Sequence, residues 1–139
     1  MSDLSDLANI IYGEAANQDE KVMKMVGSTV LNRQKSGRTE EFGGTIAEIG
    51  QKGYYAVKNP NQPYKEALSQ KFGNEEAEHK YKKAVAIAGG LLKGTIEPDK
   101  GEFFFKPDEE KKLRKTPKVF NFKMVKNVGK QGDYNVYGY

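Results

Sequence analysis

The chain has 139 residues, enough for one domain with its own core and too few for two of ordinary size. It has no cysteine and a single histidine, His79, which excludes disulfide scaffolds, thiolate metal centres and any site that needs two histidine ligands. A net charge of +4 favours polyanionic partners (nucleic acid, anionic lipid or bacterial wall polymers), although Lys and Arg alternate with Glu through 75–83 and 106–115 in the manner of a solvated mixed surface.

No apolar run approaches the roughly 20 residues of a membrane span. Residues 1–20 lack the basic start, long apolar stretch and cleavage site of a signal peptide. Residues 3–16 are expected to be helical, with Leu4, Leu7, Ile10, Ile11 and Glu14 at helical spacing and Ser2 or Ser5 as cap. A second helix over about 19–36 gathers Val22, Met25, Val26, Thr29, Val30 and Arg33 on one face, and Gly37 stands where a helix-ending glycine belongs. Gly43 and Gly44 mark a break, and Thr45 and Glu48 have the spacing of a capping box at the start of a short helix. Residues 50–63, with two Gly, two Pro and two Asn, are expected to form an irregular loop. Helical pattern returns at 63–72 and again at 75–93, the latter capped by Asn74. Beyond Gly94 the segments Phe103–Phe105, Lys118–Lys123 and Asp133–Tyr139 are aromatic and β-branched, which predicts short strands. The expected fold is one α+β domain over 1–139, mostly helical with a small C-terminal β portion.

Glu14 lies three residues after Ile11, four after Ile10 and seven after Leu7, on the apolar stripe and near the end of its helix. Burial and the negative end of the helix dipole both disfavour a carboxylate there, as a general acid at neutral pH requires. The competing reading of the same spacing is a glutamate that ends a helix and bends into solvent. Gly13, in a position where glycine costs about 1 kcal/mol against alanine, points to close approach of another helix or of a ligand, unless the helix already frays there.

Ile11-Tyr12-Gly13-Glu14-Ala15, followed by Val30-Leu31-Asn32-Arg33, resembles the opening of the SleB-type cell-wall hydrolases, the spore-cortex-lytic family. Farther on, Gly53-Tyr54-Tyr55-Ala56-Val57 stands where that family has a Gln-Phe-Ser-like segment. Phe103–Pro107 resembles its F-x-N-P segment, and Gly132–Tyr137 its closing G-x-H-x-F-Y. The departures are Gly53-Tyr54 for Gln-Phe, Lys106 for the usual asparagine, and Tyr134 or Asn135 near the place of the histidine. They leave the acid untouched and bear on substrate contacts.

The resemblance implies a lysozyme-like, lytic-transglycosylase-like fold and cleavage of the β-1,4 bond between N-acetylmuramic acid and N-acetylglucosamine in peptidoglycan. Glu14 is then the catalytic acid, and one carboxylate suffices. Asp19, Glu20 and Glu48, the nearest candidates for a second, each have a sufficient role at a helix start. Tyr54 and Tyr55 are expected to stack on sugar rings, with Phe104 and Tyr137 in the same groove. Tyr12 faces either the groove or the core, and at least one of Phe103 to Phe105 faces each. Asn32 and Arg33 are read as supporting residues, with Arg33 anchoring a carboxylate or carbonyl, and His79 as a surface residue.

No cofactor, metal or nucleic acid is expected as partner, and a monomer is. The missing export segment suggests a bacteriophage product made in the host cytoplasm, either an endolysin released by another protein or a virion component. Two other readings compete: a non-catalytic glycan-binding module of the same fold, and a basic nucleic-acid-binding protein drawing on the Lys-rich stretches 106–118 and 123–130.

Overall fold

The computed structural model describes residues 2–139. Helix α1, Asp3–Ala15, starts where the Ser2 hydroxyl accepts the Ser5 N–H at 3.1 Å, with Asp3 and Asp6 at the positive end of the dipole. Helix α2, Glu20–Lys35, is capped by Asp19, which accepts the Val22 N–H at 3.0 Å, and is followed by Gly37 at φ +73°. A single turn, α3 (Thr39–Phe42), leads to α4 (Ile46–Gly53). There the Thr45 and Glu48 side chains take each other's backbone N–H, so the capping box is complete.

Residues 50–63 are not the irregular loop expected of them. Helix α4 continues through Gly53, Tyr54 serves as the hinge, and a one-turn helix α5 (Tyr55–Lys58) follows. Helix α6, Gln62–Ser69, begins at Asn61, and α7, Glu75–Lys93, begins at Asn74 and ends at Gly94 with φ +82°.

Helix α1 is the centre of the helical part. Every residue from Leu7 to Gly13 is buried, so the stripe read from the sequence covers the whole circumference here. It is enclosed by α2, α4, α5, α6 and α7. Gly13 is explained by this crowding: a Cβ there would come within 3.1 Å of Ala56 and Tyr64, and Asn61 donates to its carbonyl at 2.8 Å. The polar groups inside are matched. Tyr81 donates to Asn9 at 2.8 Å, and buried Glu66 accepts the Gly73 N–H at 2.8 Å and the Tyr12 hydroxyl.

The C-terminal part is an antiparallel sheet in the order β1-β3-β2, with β1 Phe103–Phe105, β2 Lys126–Gln131 and β3 Tyr134–Gly138. Phe103 pairs with Tyr137 and Phe105 with Asn135, and β2 has an irregularity between Asn127 and Gly129. Two of the three expected strands are in place. Residues 118–123 are instead turns leading into a 3-10 turn at Phe122–Met124, because Phe120 and Phe122 fold back onto Phe105 rather than joining the sheet. Two elements go beyond the expected ones of this half: helix α8, Pro107–Arg114, between β1 and that segment, and strand β2 itself. The molecule is thus mixed α+β, mostly helical, with a small sheet near its end. No described helix is long and apolar enough to cross a membrane.

One face of α2 fastens the sheet to the helices. Lys24, Ser28 and Asn32, spaced four apart, all reach the segment before β1. Lys24 pairs with Asp99 at 3.3 Å, Ser28 Oγ accepts the Asp99 N–H at 2.9 Å, and Asn32 donates to the carbonyls of Asp99 and Gly101, both at 2.8 Å.

Candidate active site

Where the end of α1 meets the sheet lies a cleft of about 570 Å³. Glu14 and Arg33 reach it from α1 and α2, Gly53 and Tyr55 from the α4–α5 hinge, and Phe104 and Tyr134 from the sheet. Helix α8 closes the far side with Asp108, Glu109 and Lys112, and Lys106 stands at its start. The structure therefore brings together residues as far apart in sequence as 14 and 134.

The Glu14 carboxyl is half-buried, and its Oε1 accepts the N–H of Ala56 at 3.1 Å. That N–H belongs to the first turn of α5, where backbone donors lack helical partners. Burial pushes the Glu14 pKa above the usual carboxyl value. The Ala56 hydrogen bond opposes this, the negative charge of Glu109 adds to it, and the guanidinium of Arg33 opposes it again.

Arg33 is held on all sides. Its Nε donates to the Glu102 carbonyl at 2.7 Å, and its guanidinium lies 4.7 Å from the Tyr54 ring, 5.0 Å from Phe42 and 5.2 Å from Phe103. A Cβ on Gly53 would collide with Nη1 of Arg33. Gly53, which departs from the Gln-Phe pattern, is thus the residue that leaves room for the guanidinium. Asn32 lies behind the cleft, engaged with Asp99 and Gly101.

The aromatic expectations divide. Tyr55 is 73% exposed beside Glu14, and Phe104 presents its ring to the cleft while Phe103 is buried. Three other residues need correction. Tyr54 is buried, its hydroxyl shares a 2.7 Å hydrogen bond with Thr29, and its ring supports Arg33. Tyr12 is buried against Phe72 and Tyr81 with its hydroxyl on Glu66. It follows from helix geometry, since positions two apart point about 200° from each other and Tyr12 must face away from Glu14. Tyr137 is buried too, and its hydroxyl donates to Glu110 at 2.5 Å. It holds α8 rather than a ligand. His79 is exposed on α7.

Several cleft residues were absent from the expected site. Tyr134 packs edge-on against Phe104 at 5.4 Å, and its hydroxyl has no hydrogen-bond partner among the described residues. Burial raises its pKa, with Glu14 and Glu109 adding to the effect, so it remains a neutral donor. The signal for it was its place near the histidine of the family pattern. Glu109 and Asp108 sit in the first turn of α8, and the signal was Pro107 followed by three acidic residues, a standard helix start. Helix α8 buries none of its own residues. Glu110 anchors it, accepting from Tyr137, from Asn135 at 3.4 Å and from Arg114 at 3.3 Å. These bonds hold the Glu110 pKa below the usual carboxyl value despite the opposing effect of burial, the largest single influence on it.

Among the described residues no group of three His, Asp or Glu side chains is gathered closely enough to hold a metal ion. Compared with protein-family models, curated proteins and solved structures, the chain matches none.

Proposed function

We propose that this protein cleaves the glycan strand of peptidoglycan at the β-1,4 bond between N-acetylmuramic acid and N-acetylglucosamine, with Glu14 as the acid. The observation that carries the proposal is a carboxyl of raised pKa in an open cleft lined also by the exposed Tyr55 ring and the half-buried Phe104 ring. Aromatic faces of this kind suit the apolar faces of pyranose rings. The cleft also opposes three basic side chains, Arg33, Lys106 and Lys112, to three acidic ones, Glu14, Asp108 and Glu109. That balance suits a largely uncharged glycan backbone better than a nucleic acid strand. The proposal extends to the fold, which we read as lysozyme-like, with the acid ending a buried helix and a small sheet forming the facing wall.

The chemistry proposed is that of a lytic transglycosylase. Glu14 gives its proton to the departing glycosidic oxygen as the C1–O4 bond breaks. The same carboxylate then takes the proton of the muramic acid C6 hydroxyl, O6 bonds to C1, and a 1,6-anhydro end forms without water. Glu109 favours a second reading. It is exposed in the same cleft, raises the Glu14 pKa, and has no hydrogen-bond or ion-pair partner among the described residues. A second carboxylate there can take a proton from an attacking water, giving hydrolysis and a reducing end.

Digestion of purified peptidoglycan, with products read by mass spectrometry, separates the routes. Products carrying 1,6-anhydro ends, still formed by Glu109→Gln, support the transglycosylase. Reducing ends that disappear in Glu109→Gln replace it with the two-carboxylate hydrolase.

A further inference from the structure

The charge of this chain is unevenly placed. Residues 106–130 hold nine basic and three acidic residues, net +6, whereas the remainder, with 14 basic and 16 acidic, is net −2. The alternation seen at 106–115 hides this, because the acids lie in the first turn of α8 and the bases follow. None of the seven lysines from Lys111 to Lys130 has an ion-pair partner among the described residues.

The segment after α8 is pinned by its aromatic side. Phe120 lies 4.8 Å from Phe103 and 5.0 Å from Phe105, Phe122 lies 5.2 Å from Tyr137, and Arg114 covers Phe122 at 4.2 Å. With Phe120 and Phe122 turned inward, Lys118, Val119, Lys123 and Met124 are left outside. Val119 is 73% exposed and Met124 64% exposed, each beside a lysine. A polyanion in water would match the lysines and leave these two apolar side chains without a role. An anionic bilayer matches both, since the ammonium groups stay at the headgroups while short apolar tips enter the interface.

We propose that residues 111–130 form a peripheral docking surface for anionic lipid headgroups, with Val119 and Met124 as the inserted tips and the unpaired lysines, Lys118 and Lys123 foremost, as the headgroup contacts. The surface adjoins the cleft, whose Lys112 belongs to both. Docking there would hold the cleft close to a membrane while leaving Glu14 outside the contact.

Co-sedimentation with vesicles tests it, using the full chain. Wild-type protein is expected to pellet with phosphatidylglycerol-containing vesicles and to stay in solution with pure phosphatidylcholine. Lys118→Glu/Lys123→Glu should weaken binding by at least about tenfold, given the contribution of each lysine at an anionic leaflet. Val119→Ser/Met124→Ser, which leaves the charge unchanged, should weaken it several-fold, with circular dichroism confirming that both variants are folded. The proposal is overturned if wild type ignores the anionic vesicles. It is equally overturned if the serine variant binds like wild type and inorganic polyphosphate displaces both, which would make the segment a general polyanion surface. Sedimentation does not depend on glycan cleavage, so the lipid proposal and the enzyme proposal fail separately.

Discussion

The Glu14 carboxyl is pulled in two directions, and the sign of the balance can be tested. Its pKa is raised in the folded protein, mainly by burial. The folded state therefore binds this proton more tightly than the unfolded chain does. The associated stability is complete at pH values below the ordinary carboxyl pKa and is lost as pH rises through the raised one. Glu14→Gln keeps an oxygen for the Ala56 N–H and removes the buried charge, so its melting temperature should exceed that of wild type at pH 8 and converge with it near pH 4. Activity should fall along an alkaline limb set by Glu14. Glu109→Gln removes a charge that raises this pKa, so it should move the limb to lower pH, as a pH profile of kcat/KM would read. Gly53→Ala forces Arg33 from its place between three rings and the Glu102 carbonyl. It should cost about 1–3 kcal/mol in denaturant unfolding, the usual penalty of overpacking, and lower activity as well. At this scale Glu14 and Arg33 were legible, because helical periodicity places them on inward faces. Tyr12 is legible by the same rule, because its two-residue offset from Glu14 turns it to the opposite side of α1. Tyr54 was not, because its direction depends on α4 continuing to Gly53, and the Gly, Pro and Asn around it signalled a loop.

The elements that could be read are those whose ends are determined locally. Asp19, Thr45 with Glu48, and Asn74 each cap a helix through bonds to residues three positions away, so four or five letters suffice. The β half depends on distant partners. Strand β2 is an edge strand exposed along most of its length, so it carries little apolar pattern. Residues 118–123 carry that pattern and are not a strand, since their aromatic side chains cover the phenylalanines of β1. The joint between the halves is the face of α2 that holds residues 99–101. Asn32→Ala leaves the Asp99 and Gly101 carbonyls without their donor and should cost about 1–3 kcal/mol. Amide exchange should quicken across Phe103–Phe105 more than in α1. Gly101→Ala tests the same joint from the other side. Its φ of +105° and the 2.6 Å approach of a Cβ to Val136 make alanine strained there.

Taken whole, the molecule is a buried helix in a helical shell with a small sheet docked beside its end. The cleft arises where these two parts meet, which explains why residues 14, 33, 55, 104 and 134 converge only in three dimensions. Helix α8 completes the cleft through the Glu110 hydrogen bonds, with no buried side chain of its own. The central claim is that Glu14 cleaves glycan in that cleft. It is tested most directly by incubating purified peptidoglycan with wild type and with Glu14→Gln, after circular dichroism has shown both to be folded. The account predicts soluble muropeptides from wild type and a loss of at least about 100-fold in the variant, the scale expected for removing a general acid. Equal release by the two proteins, or none from wild type, would contradict it.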